Sequence, residues 1–179
     1  MRPILTDIMT IMQHLSRVKS KPDPYRPEHC PDCNHHIVWK HGSYFRKSVR
    51  DHQCPSSLEL VPISRYICVK CKKTCSTLPE CIPPRRWYLW AVQQACMVAC
   101  LLGKKVSQIA TEQLPRRQTI SRWERHRHEQ FKEHQFYLRA RFPEFGRQTT
   151  FKDFWSKCLS QFSLSRIYYF LNLDDFNIP

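Results

Sequence analysis

The sequence predicts an α+β chain: a small β-rich unit near the N-terminus, an all-α domain after it, and further helices at the C-terminal end. Three observations predict this. Two cysteine pairs of equal spacing, Cys30-x2-Cys33 and Cys68-x2-Cys71, enclose residues of β character. The apolar period changes from near 2 to near 3.6 after Pro83-Pro84. Three short helical patterns with brief links then lead into an aromatic-rich tail. The expected organisation is an N-terminal helix and linker (1–27), a cysteine-built β unit (28–82), a three-helix domain (83–135) and a helical tail (136–179).

Ile4, Ile8, Ile11, Met12 and Leu15 recur at helical spacing and predict a short amphipathic helix over 4–17. Packing on its own domain is the favoured role, ahead of a partner contact. Pro22, Pro24 and Pro27 mark a linker over 19–27.

Residues 36–50 mix β-branched, aromatic and basic side chains, among them Ile37, Val38, Trp39, Tyr44, Phe45 and Val49. Gly42 offers a turn or bulge between two short strands. Residues 52–57 read as a polar loop, and Leu58–Val69 alternates in part into the second cysteine pair. Pair, strands, pair, strand is the order of a small β zinc ribbon. Thiolates are soft ligands, and four in a tetrahedron suit Zn2+. Cys30, Cys33, Cys68 and Cys71 are the candidate ligands, with 34 residues between the pairs. Such a site is closed to water and substrate, so its role is structural: the metal supplies folding free energy that a small core lacks. An iron–sulfur cluster is the lesser alternative. Cys75, Cys81, His35, His36 and His41 are weaker ligand candidates. Cys54 reads as a free thiol, and Cys96 and Cys100 as core on one helix face.

Pro83 and Pro84 break the sheet and can open a helix. Leu89, Val92, Cys96, Ala99 and Cys100 share a helical face, and Gly103 closes that helix. A second helix is expected over 106–113 with Ile109 and Ala110 inward, stopped by Pro115. A third runs from about Arg117 to beyond Glu129 with Ile120 and Trp123 inward. Three helices with short links fit a helix-turn-helix. One or two more helices are expected between Thr150 and Leu171.

Charge points to the partner. The chain carries 29 Lys/Arg against 15 Asp/Glu, a formal charge of +14. Residues 104–141 hold ten Lys/Arg against four Asp/Glu. Nucleic acid is favoured over membrane, because no basic helix has a sustained apolar face. Arg117, Gln118, Ser121, Arg122 and Arg125 fall on the outward face of the third helix, where Arg can read guanine and Gln adenine. Lys104, Lys105 and Arg116 are placed for phosphates. Lys40, His41, Arg46, Lys47 and Arg50, interleaved with Trp39, Tyr44 and Phe45, make the ribbon a lesser nucleic-acid candidate. Residues 1–17 lack the pattern of a secretory signal, and no run reaches the ~18 apolar residues of a membrane span. The expected location is the cytoplasm, at the nucleoid.

Val106–Trp123, VSQIATEQLPRRQTISRW, resembles the helix-turn-helix of bacterial insertion-sequence proteins through Ser107, Ile109, Ala110, Thr119, Ile120, Arg122 and Trp123. The turn departs from that pattern with Gln113-Leu114-Pro115, so it takes another shape. With CPDCNHHIVWKHGSYFRK and RYICVKCKKTCSTLPECIPPRRWY, the stretch Cys30–Trp123 resembles the zinc ribbon plus helix-turn-helix module of bacterial transposases and related transposon-encoded proteins. The resemblance implies sequence-specific binding of double-stranded DNA at transposon ends or operators. It implies a transposon accessory protein, a regulator or a transposase remnant, with self-association or a transposase subunit as further partners. Strand transfer would need carboxylates holding two Mg2+ ions on a sheet. The acids after the third helix, Glu144, Asp153, Asp174 and Asp175, do not supply that set, so the chain is expected not to cut DNA itself. The alternative is a zinc-ribbon adaptor docking on a protein such as polymerase or a transposase subunit.

Overall fold

A computed structural model describes residues 4–20, 23–47, 60–84, 88–113 and 115–173. Cys54 and the 52–57 loop, Arg50, Arg85, Arg86, Leu114, Asp174 and Asp175 lie outside the described residues. The fold is mixed α+β, with two small sheets and seven α-helices among the described residues. The chain divides into two compact units, Met1–Trp87 and Tyr88–Ile178.

In the first unit, β1 (Ile4–Leu5) runs parallel to β5 (Leu78–Pro79). The helix expected over 4–17 therefore starts later, as α1 (Ile11–Ser20). A capping box sets that start: Gln13 N–H donates to Thr10 Oγ1 at 3.1 Å, and Thr10 N–H donates to Gln13 Oε1 at 3.0 Å. Ile4 and Leu5 instead join the sheet edge, where Leu5 O accepts from Glu80 N–H at 2.8 Å. The helix also runs on to Ser20, past the expected start of the linker, and a 3-10 turn at Asp23–Tyr25 follows. Ile8, Ile11 and His14 are buried. Pro62 O can only accept, so His14 Nε2 carries the proton and donates to it at 2.9 Å. That leaves His14 Nδ1 to accept from Tyr25 OH at 2.7 Å. Burial lowers the His14 pKa below its usual value, which keeps the neutral tautomer these bonds need.

β2 (Val38–Lys47) pairs antiparallel with β3 (Leu60–Cys68), and β3 with β4 (Thr74–Cys75). The two strands expected around Gly42 are one strand with a register shift between Lys40 and Ser43. Gly42, at φ 97°, sits in this irregularity, where a side chain would be strained. The core joins Ile8, Tyr25, Cys30, Val38, Tyr66 and Cys68. The N-terminal segment thus packs on the cysteine unit itself.

The second unit is helical: α2 (Trp90–Leu101), α3 (Val106–Glu112), α4 (Arg117–Glu129), α5 (Phe131–Arg141), α6 (Phe151–Gln161) and α7 (Leu164–Leu173). Gly103, at φ 85°, ends α2 in a Schellman arrangement. Its N–H donates to Cys100 O at 2.9 Å, and Lys104 N–H donates to Ala99 O at 3.0 Å. The expected third helix stops at Glu129, and α5 is a separate helix. Gln130 makes the break by leaving helical geometry, at φ −89°, ψ 6°. α2 packs on α3, α6 and α7, and α3 on α4. Trp90 stacks on Tyr168 at 4.9 Å between centroids, and Leu164 N–H donates to Gln94 Oε1 at 2.8 Å. Cys96 and Cys158 are fully buried core, and burial pushes their thiols up to about 11 and about 12. No helix among the described residues is long and apolar enough to cross a membrane.

Candidate metal centre and candidate nucleic-acid interface

The two Cys-x2-Cys segments fold alike. In the first, Asn34 N–H donates to Cys30 O at 2.9 Å, and Cys30 N–H donates to His35 O at 2.8 Å. In the second, Lys72 N–H donates to Cys68 O at 3.0 Å, and Cys68 N–H donates to Lys73 O at 3.0 Å. Asn34 and Lys72, each following the second cysteine of its pair, are left-handed at φ 55° and 59°. This turn brings both sulfurs of a pair to one side, and the β2–β3 ladder, with Val38 opposite Cys68, brings the two pairs together.

All four Sγ atoms lie within 4.8 Å of one another. Cys30 Sγ is 3.6 Å from Cys71 Sγ, and Cys33 Sγ is 3.6 Å from Cys68 Sγ. These separations are far beyond the ~2.05 Å of a disulfide. The four thiols form a cluster that can hold a metal ion. Burial opposes the Cys68 thiolate, but N–H groups of Cys71 and Lys70 and the thiols of Cys33 and Cys71 stabilise it and bring the thiol down to about 7. At Cys71 the Lys73 N–H favours the thiolate, yet burial and the crowd of neighbouring sulfurs outweigh it and hold the thiol up, at about 12. Four sulfurs this close cannot all ionise without a cation among them.

Of the weaker ligand candidates, Cys75 packs against this core without entering the four-sulfur group, and burial pushes its thiol up to about 11. Burial likewise raises Cys81 to about 12. His36 lies edge-on to His29 at 4.6 Å, and neither His35, His36 nor His41 belongs to the cluster. Sequence reasoning missed Asn34 and Lys72, because a positive φ at residues other than glycine carries no compositional mark.

In the second unit, Ile109, Ile120 and Trp123 are buried, with Trp123 edge-on to Tyr88 at 5.4 Å. Arg117, Gln118, Arg122 and Arg125 are exposed along α4, Ser121 is half-buried, and Arg116 is exposed at its N-cap. Lys104 and Lys105 are exposed before α3; Lys104 Nζ pairs with Glu112 Oε2 at 2.7 Å. Gln113, at φ −117° and ψ 157°, leaves α3 in extended geometry. One basic residue of the stretch is no surface charge: Arg127 is buried and ion-paired with Glu124. Its position, seven after Ile120 and four after Trp123, marked it for the inward face.

Fold and cluster together define an α+β protein with a four-cysteine centre in one unit and a basic helical array in the other. The chain belongs to the family described as a domain of unknown function, DUF6431, which matches residues 30–123, just over half of its length. The match runs from the first clustered cysteine to the buried tryptophan of α4, so it takes in both cysteine pairs, α2, α3 and the first half of α4. No curated protein and no solved structure matches the chain.

Proposed function

We propose that the chain is a zinc-stabilised, sequence-specific DNA-binding protein of a mobile genetic element, an accessory protein, regulator or transposase remnant. The observation that carries the reading is α4: Ile120 and Trp123 are buried, while Arg117, Gln118, Arg122 and Arg125 stand exposed on the same helix. In this reading α3 and α4 are the helix-turn-helix, α4 enters the major groove, and Arg116, Lys104 and Lys105 hold phosphates. The centre is a zinc ribbon. A tetrahedron of sulfurs about 2.3 Å from zinc has edges of about 3.8 Å, close to the 3.6 Å pairs seen here. The zinc is structural and its coordination closed, and the chain performs no cleavage itself.

Binding measured against salt tests this. The three phosphate-holding cations, Lys104, Lys105 and Arg116, give a slope of log K on log salt of about −3. Arg122→Ala is expected to relax sequence preference by about 1–3 kcal/mol at one base pair, and Lys105→Ala to weaken all duplexes alike. Duplex affinity that does not change with salt would sink the reading.

A further inference from the structure

We propose that the β2–β3 sheet of the cysteine unit carries a second nucleic-acid site, for unpaired bases, built on Trp39, Arg65 and Tyr44. It extends the DNA-binding reading above and lies on a different unit from α4.

The register places the three side chains on one face. Trp39 is opposite Ile67, and Tyr44 is opposite Ile63. Arg65 lies between those two partners on β3, so the pleat turns it to the same side. It also faces the bulged stretch between Lys40 and Ser43, where no direct partner stands opposite it. Arg65 fills that place and lays its guanidinium over the Tyr44 ring, 5.1 Å from the centroid.

Exposure makes the Trp39 end of the face available, while Tyr44 is half-buried beneath Arg65. Trp39 is 60% exposed, although indole is among the costliest side chains to leave in water. Ile37, whose carbonyl accepts from Val69 N–H at 3.2 Å, extends the apolar strip and is 46% exposed. The charges around the strip decide its occupant. Arg65, on the face itself, and Lys70, just past the Cys68 end of β3, are both exposed. The acid on the cysteine turns, Asp32, is paired with Lys73 at 3.2 Å. A flat aromatic surface rimmed by cations fits a polyanion with flat rings. In a duplex those rings are stacked away; in a single strand they are free to stack on indole. Trp39 and Tyr44 stand five residues apart along β2, roughly 15 Å, a span that two or three extended nucleotides cover.

The test uses the full chain with two fluorescent probes, a 12-nucleotide oligothymidine and a 20-base-pair duplex, in about 0.15 M salt. Trp39→Ala is expected to weaken oligothymidine binding about tenfold and duplex binding less than twofold. Trp39→Phe should retain most of the affinity, and Arg65→Ala should lose several-fold. Because Trp39 is exposed, its variants should keep the far-ultraviolet circular dichroism of the parent. Crosslinking to 5-iodouracil in the unmodified chain, mapped by mass spectrometry, should fall on Trp39 or Tyr44 and reads the site without any variant. Equal losses on both probes would reduce the face to general charge and overturn the proposal. So would oligothymidine affinity indifferent to Trp39 and Arg65, or crosslinks confined to α4. Displacement of oligothymidine by poly-glutamate at equal charge concentration would also overturn it, in favour of an acidic protein partner. If neither probe binds, the DNA-binding reading fails as well; if the duplex alone binds, only this inference does.

Discussion

Lys72 holds its backbone at φ 59° directly after Cys71, a left-handed turn that carries Lys73 O back to accept from Cys68 N–H. A side chain there costs about 1–2 kcal/mol, less the extra entropy glycine loses on folding, about 0.5–1 kcal/mol. Lys72→Gly is therefore expected to slow metal release to a chelator and raise stability by up to about 1 kcal/mol. Lys72→Val should do the reverse, because a β-branched residue resists positive φ most. Asn34→Gly should gain less, since asparagine tolerates the left-handed region. Release rates in the opposite order would show that the turn does not limit the centre. His134 makes a second residue-scale prediction. Burial first, then His126 and Arg127, lower its pKa from 6.5 to about 3. It is neutral in the fold, so its stabilising effect is complete above pH 6.5 and is lost as pH falls toward 3. Between pH 7 and 5 the unfolded chain gains the proton first, at a cost to the fold of about 2 kcal/mol. Urea midpoints of the helical unit should fall over that range, and His134→Gln should flatten the dependence.

Within α4, two arginines two positions apart do opposite work. Arg127 is buried against Glu124, while Arg125 points to solvent. Glu124→Ala leaves a guanidinium buried without its partner and is expected to cost about 3 kcal/mol in urea unfolding. Arg125→Ala should stay within about 0.5 kcal/mol and, on the proposed DNA-binding reading, lower duplex affinity. Similar costs for both would mean the Glu124–Arg127 pair does not hold the helix. Sequence pattern exposed this level unevenly. The period of Ile120 and Trp123 located α4, Gly103 marked the end of α2, and the cysteine spacing located the four-sulfur cluster. Elements decided by side-chain hydrogen bonds or long-range pairing were harder to read. β1 forms because Leu78–Pro79 lies beside it, which a helical apolar period at residues 4–15 concealed. The Thr10-x2-Gln13 box that starts α1 was legible in principle, since it is a local signal. The break between α4 and α5 was not: Gln130 carries no proline or glycine, and tertiary packing of Leu138 and His134 fixes the second helix.

Across the whole molecule, the two units are built around different cores. The cysteine unit builds its core around Ile8, Tyr25, Cys30, Val38, Tyr66 and Cys68, so two of six core side chains belong to the sulfur cluster. Without a cation, four thiols within 4.8 Å leave Cys68 drawn to ionise beside Cys71, which is held protonated. The helical unit instead buries Met97, Ile109, Ile120, Leu138, Phe145, Phe154, Trp155, Leu164, Ile167 and Leu171, which need no metal. Chelation should therefore separate them. In the metal-loaded chain, heating is expected to give two transitions by circular dichroism. A strong chelator should lower or abolish the one carried by the strands and leave the helical signal nearly unchanged. Under the zinc reading proposed above, titrating zinc back should restore the lost transition at one ion per chain, since four thiolates in a tetrahedron take a single ion. His14 supplies an independent reporter, since its bonds to Tyr25 and Pro62 tie α1 to β3. Chelation should expose Tyr25, seen as a near-ultraviolet change in step with the strand signal. A single transition unmoved by chelator, in a chain purified with no bound metal, would remove the metal from the account of this fold.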